Sequence, residues 1–130
     1  MRTEVLVGDR GGRLVVRVAE TRRERMRGLI GSSPLRPGAG LLLERTRSVH
    51  TVGMRWTISA ALLDRELRIL TVVRVPPNRV VAPRRGVRHV LELGPGAAEL
   101  LPIGEAFRRE RVPRPAKAGL MTPPSQASTP

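Results

Sequence analysis

The sequence predicts a mostly β domain: an antiparallel β-sandwich, jelly-roll-like, or a partly open barrel, with one short helix. Three observations predict it. Short aliphatic runs recur at close spacing, separated by turn residues. Only the stretch near residues 21–30 carries a helix-entry signature. No helical pattern separates the later runs, which disfavours a parallel α/β sheet. At 130 residues and 40% hydrophobic, the chain suits one domain, expected over residues 1–109. Trp56 and Phe107 are its two aromatics, so Leu, Ile and Val must fill the core, with Met26 and Met54 as adaptable filler.

Thr3–Val7 and Leu14–Ala19 read as strands joined by the Gly8-Asp9-Arg10-Gly11-Gly12 turn, a hairpin. Thr21-Arg22-Arg23-Glu24 matches a capping box, in which the Thr hydroxyl accepts from the amide three residues on and the Glu reaches back. The helix should run to about Leu29, with Gly31 as its left-handed stop. Arg22, Arg23 and Arg25 fall in its opening turns. Exposed cations there oppose the helix dipole at about 0.3–1 kcal/mol each, to be offset by Glu20 and Glu24 or by an anion.

Residues 32–40 are a loop and Leu41–Glu44 a short strand. Ser48–Trp56, read as one strand, puts His50, Val52, Met54 and Trp56 on one face and Thr51, Gly53 and Arg55 on the other. Ile58–Leu63 and Leu67–Val75 are nearly continuous apolar runs, so both their faces are at least partly covered. In the second, Ile69, Thr71, Val73 and Val75 share a face. Val80–Ala82, His89–Leu93 and a last strand around Ala106–Arg108 complete the set, with one helical turn over Ala97–Leu101. Residues 110–130 are basic and rich in Pro, Ala and Ser, and read as a disordered tail.

The formal net charge is +13. Residues 1–107 carry 19 basic against 10 acidic groups, so the charge belongs mainly to the folded part. Such a field favours an anionic ligand, nucleic acid or an acidic protein surface. All the basic residues but Lys117 are Arg, a ratio that biased codon usage explains without a function. The absence of cysteine excludes disulfides and thiolate metal sites. His50 and His89 lie far apart in sequence with no His/Glu pair at helical spacing, so neither a metal nor a cofactor is expected. No serine sits in a nucleophile elbow and no glycine run forms a phosphate loop, so no catalytic residue is assigned. The opening residues hold no apolar stretch of signal-peptide length and nothing approaches a membrane span, which points to a soluble cytoplasmic protein.

Several segments together resemble a known family, domain of unknown function 192. Arg25-Met26-Arg27-Gly28-Leu29-Ile30 is similar to its R-x-x-G-L-M helix motif, and Gly40-Leu41-Leu42-Leu43 to its G-M-L-F strand. His50–Leu63 resembles its central segment. Val90-Leu91-Glu92-Leu93 before Gly94 resembles its V-L-E-x-x-x-G stretch, and Ile103-Gly104-Glu105 its closing [IL]-x-x-G-D. Order and spacing agree over roughly residues 3–109. The resemblance implies a compact, mostly antiparallel β-sandwich with a small helix, and no activity. The chain departs from the pattern at Ser59, where the family has an acid, at Glu105, where it has Asp, and at Gly53, where it has an aromatic. A catalytic carboxylate at the first of these positions would be missing here.

Two functional readings follow. The first is a non-enzymatic module that binds an anionic partner through an arginine-rich face, with Arg25, Arg45, Arg47, Arg55 and Arg74 as its candidates and His50 at its edge. With two aromatics in the chain, single-strand binding by base stacking is poorly supported. The alternative is an enzyme or small-ligand binder with a pocket between the sheets, using His50, Arg55 and Glu92. The structural readings stand beside these. Met54 and Trp56 serve as core filler, His50 is a satisfied histidine, and Glu92 is edge-exposed or pairs with Arg74 or Arg55 across the sheet.

Overall fold

A computed structural model describes residues 1–112. The last 18 positions of the expected tail lie outside the described residues. Among the described residues nine strands form, in chain order β1 (Arg2–Gly8), β2 (Arg13–Ala19), β3 (Ala39–Leu43), β4 (Val49–His50), β5 (Ile58–Leu63), β6 (Ile69–Val75), β7 (Val80–Val81), β8 (His89–Leu93) and β9 (Phe107–Arg111). One helix, α1 (Arg22–Arg27), and one 3-10 turn (Ala98–Leu100) join them. β9 runs through Arg111 because Glu110 and Arg111 pair with Val5 and Glu4 of β1, beyond the end expected for the last strand.

Seven strands form one sheet, in the order β6-β5-β8-β3-β2-β1-β9, and β4 pairs with β7 in a separate two-stranded ribbon. The sheet curls until its two edges touch at one corner. There the Ile69 and Phe107 amides donate to the Glu105 and Leu67 carbonyls. The rest of the seam stays open, so the protein is a partly open barrel rather than a closed one. One pair departs from the expected antiparallel order: β2 and β3 run parallel. Parallel neighbours need a crossover of a dozen or more residues. Here α1 and the loop after it supply it.

The curl gives the sheet two apolar faces. Leu6, Leu14, Val16, Val18, Leu42, Leu91, Leu93 and Phe107 fill the inside. Leu41, Leu43, Ile58, Leu62, Val75 and Val90 face outward, where Leu29, Val49 and Met54 cover them. This is why the central strands read as unbroken apolar runs. In β6 the expected shared face breaks. Leu63 pairs with Ile69 while Leu62 pairs with Thr71, so Leu70 is a bulged residue. Ile69 therefore joins the inner cluster and Val75 the outer one.

The mouth of the barrel near β9 is closed by charge rather than by apolar bulk. Arg109 Nε and Arg2 Nε each donate to the Glu4 carboxylate at 2.6 Å, and Arg109 Nη2 reaches Glu44 at 2.6 Å. Burial pushes the Glu4 carboxyl up, but Arg109 and Arg2 outweigh it and hold it below its ordinary range.

The capping box forms as predicted. Glu24 N donates to Thr21 Oγ1 at 3.0 Å, and Thr21 N donates to Glu24 Oε1 at 3.1 Å. The helix ends earlier than expected. Gly28, not Gly31, is its cap, with φ 53 and its amide on the Glu24 carbonyl.

The expected strand over 48–56 stops after His50. Gly53 takes φ 86, and its amide donates to Asn78 Oδ1 at 3.0 Å, making the turn. Thr51 is buried, its hydroxyl donating to the Pro76 carbonyl. Val52 is consequently exposed and Met54 buried. Trp56 packs on the outer cluster and donates its indole N–H to the Ser32 carbonyl at 3.0 Å.

Candidate functional site

The outer face of β8 presents Val90 and Glu92. Glu92 pairs with Leu41 of β3 on one side and Ala60 of β5 on the other, so its strand neighbours offer it no charge. It is 2% exposed, and its Oε1 has no hydrogen-bond partner. Burial raises its carboxyl from 4.5 to about 8. Of the alternatives read from sequence, the edge-exposed one and the ion pair with Arg74 or Arg55 both fail. Neighbouring residues on a strand face opposite ways. Glu92 sits opposite Ala60, itself opposite Val73, so Arg74 belongs to the other face.

A cavity of about 320 Å³ stands over Glu92. Leu43 and Glu92 form its buried floor. Arg22, Arg25, Met26 and Gly28 of α1 and its cap line one wall, the loop Arg45–Ser48 another, and His50 of β4 a third. Gly28 is what lets the helix end approach so closely. A side chain there would put its Cβ 3.1 Å from Glu92 Oε1, on a backbone that already needs positive φ.

The loop is fixed as firmly as the helix. Arg45 takes a left-handed φ of 51, rare outside glycine, and its amide donates to His89 Nδ1 at 3.1 Å. Thr46 N donates to the Arg88 carbonyl at 2.9 Å. His89 must accept at Nδ1, in keeping with a ring that burial holds below its ordinary value. His50 lies 2.7 Å from the Met26 carbonyl through Nε2, which can therefore only be the donor. His50 thus ties α1 to β4 as well as lining the cavity.

Of the seven residues singled out from sequence, Arg25, Arg45, Arg47, His50 and Glu92 line this one cavity. The pocket lies between the sheet's outer face and the helix and loop, not between two sheets. Arg55 lines a separate depression beside Trp56, Gly31 and Ser33, because the turn at Gly53 carries it away. Arg74 is exposed on β6 opposite Ser59. Arg22, Thr46 and Ser48 were missed. Arg22 stands three residues before Arg25 and so shares its helix face, a spacing the sequence did carry. Arg45 and Arg47 also border a second depression with Arg65, Arg88 and His89.

The two acid positions of the resembled family have structural work in this chain. Ser59 is buried, accepts the Ala98 amide at 2.8 Å and donates to the Glu99 carboxylate, capping the 3-10 turn. Ser59→Ala would leave a buried amide unpaired and is expected to lower stability by about 1–3 kcal/mol in urea denaturation. Unchanged stability would show that the turn needs no cap. Glu105 is also buried, and its Oε2 accepts the Arg10 and Gly12 amides at 3.1 Å each, bracing the β1–β2 turn.

Among the described residues, no three His, Asp or Glu side chains converge as a metal site would require. No described helix is long and apolar enough to cross a membrane. The model of the uncharacterised family DUF192, described as "Uncharacterized ACR", matches residues 4–108. No curated protein matches. Two solved structures share the fold. A "putative transcription regulator" from Sinorhizobium meliloti 1021 is 21% identical with a TM-score of 0.70, over 83% of this chain and 92% of that one. A protein of unknown function from Novosphingobium aromaticivorans DSM 12444 is 20% identical with a TM-score of 0.68, over 82% and 83%.

Proposed function

This chain belongs to the DUF192 family, and from its geometry we propose that it binds a small anionic ligand in the arginine-lined cavity over Glu92. The observation that carries the reading is the convergence of Arg22, Arg25, Arg45, Arg47 and His50 from three separate elements around one opening. Guanidinium groups offer paired donors suited to phosphate and carboxylate oxygens. A volume of about 320 Å³ is at the small end of ligand sites, which run from about 300 to 1,000 Å³. The cavity thus suits a compact anion. Binding alone needs no catalytic residue, and the protein acts as a binding module.

A second reading is an extended polyanion, nucleic acid included. It draws on the neighbouring depression, where Arg65 and Arg88 continue the basic surface from Arg45 and Arg47. Calorimetric titration with inorganic phosphate, polyphosphate, duplex DNA and RNA at two salt concentrations separates the two. A compact site gives phosphate affinity with a shallow salt slope. An extended one gives affinity that grows with polymer length and collapses with salt. Arg25→Ala and Arg47→Ala should each weaken phosphate binding about tenfold or more, from charge-assisted hydrogen bonds worth about 1.5–3 kcal/mol. No affinity for any of these anions at low salt would reject the proposal.

A further inference from the structure

The floor of the cavity is the wrong group for a site that only counts negative charge. Four arginines approach from the rim and walls, yet the deepest polar group is a carboxyl. One of its oxygens has no partner within the protein. A buried acceptor left unmet is costly, so a ligand that donates a hydrogen bond there gains more than one that cannot.

We infer that the cavity selects oxyanions bearing a dissociable proton, hydrogenphosphate and the monoanions of phosphate monoesters, over fully deprotonated ones such as sulfate, through hydrogen bonds shared with the Glu92 carboxyl. The inference rests on the anion-binding reading above and goes on to name the ligand class. A hydrogenphosphate group offers both an O–H donor and anionic acceptor oxygens. Facing a protonated Glu92, it accepts the carboxyl O–H and donates its own P–OH to the carbonyl oxygen, while the arginines take its remaining oxygens. Sulfate at the same place accepts the O–H but leaves the other carboxyl oxygen as it was. Facing an ionised Glu92, hydrogenphosphate still has a proton to share, and sulfate meets a bare like charge.

The groups facing Glu92 from the elements around it are Arg22 and Arg25 of α1, Arg45 and Arg47 of the loop, and His50 of β4. The flanking strand partners, Leu41 and Ala60, are uncharged. The arginines do not titrate in the working range. Glu92 does, and the Glu92→Gln variant isolates its part.

The test is calorimetry with sodium phosphate, phenyl phosphate and sodium sulfate at constant ionic strength, at pH 6 and pH 9. It uses the full chain and its Glu92→Gln and Glu92→Leu variants. The native chain should favour both phosphates over sulfate by about tenfold at pH 6, a 1.4 kcal/mol difference. At pH 9 inorganic phosphate, which keeps a proton, should be favoured by more, while phenyl phosphate, past its second pKa of about 6, should fall to the level of sulfate. The native chain's sulfate affinity should fall as pH rises through about 8. Glu92→Gln, neutral at every pH, should remove that fall, and Glu92→Leu should bring the two anions to about equal affinity. Equal phosphate and sulfate affinity in the native chain, or a preference that survives Glu92→Leu, overturns the inference and leaves anion binding standing. Failure of all three anions to bind overturns both.

Discussion

At pH 8.5 the Glu92→Gln chain should be more stable than the native one by roughly 3–5 kcal/mol, a margin that shrinks toward zero by pH 4. The cause is the raised carboxyl, moved from 4.5 to about 8 by burial between Leu41 and Ala60. Below 4.5 the folded and unfolded chains both hold the proton, and nothing depends on it. Between 4.5 and about 8 the unfolded chain has released its proton while the folded chain keeps it. The folded state is then the one that binds more protons, so each rise in pH weakens it, by about 1.4 kcal/mol per unit. Above about 8 the full cost is present and no longer grows. Against a typical total of about 5–15 kcal/mol, this is a large fraction given up at one side chain. Urea denaturation of both chains at pH 4, 6 and 8.5 measures it. Parallel pH profiles would mean that the carboxyl is solvated or paired, and the case for a functional Glu92 would fall with it. A buried acid kept at such a cost, beside arginines that do not bond to it, fits a group retained for a ligand.

Much of the local structure could be read directly. The β1–β2 hairpin, the Thr21/Glu24 capping box and the apolar runs of β5 and β8 appear where turn residues, caps and unbroken apolar stretches placed them. Five of seven candidate side chains meet in one cavity because arginine clusters and an acid in an apolar strand are visible one residue at a time. What could not be read is pairing. The parallel β2–β3 contact depends on a crossover whose helix is only six residues long, with loop for the rest, so no periodic signal announces it. The face of Arg74 depends on which strands flank β8, and a shift of one residue in register reverses it. Arg55 was misplaced because Gly53 reads equally well as a strand glycine or a turn, and its positive φ decides for the turn.

Gly94→Ala should cost about 3 kcal/mol or more, though a methyl group is the smallest addition a side chain can make. Gly94 follows β8 directly and is buried. A Cβ there would lie 2.3 Å from the Leu35 carbonyl oxygen and 3.2 Å from its carbon. The obstacle is backbone, which cannot swing aside as a flexible side chain does, so the 32–38 loop must lift. Leu35 packs on the outer cluster and belongs to the crossover that begins with α1. Lifting it loosens the cover over the sheet and, through Leu29 and Gly28, the wall of the cavity beside Glu92. The expected result is therefore double: a lower urea midpoint and weaker phosphate binding. Gly96→Ala, two residues on, is the control. Nothing lies within 4 Å of its Cβ, but its φ of 75 is unfavourable for alanine, so a loss of about 1–2 kcal/mol is expected with phosphate affinity unchanged. Gly94 itself has no positive φ, so contact with Leu35 is the cause to be tested: a Gly94→Ala chain with an unchanged urea midpoint and unchanged phosphate affinity would mean that the loop yields freely and has no part in shaping the site.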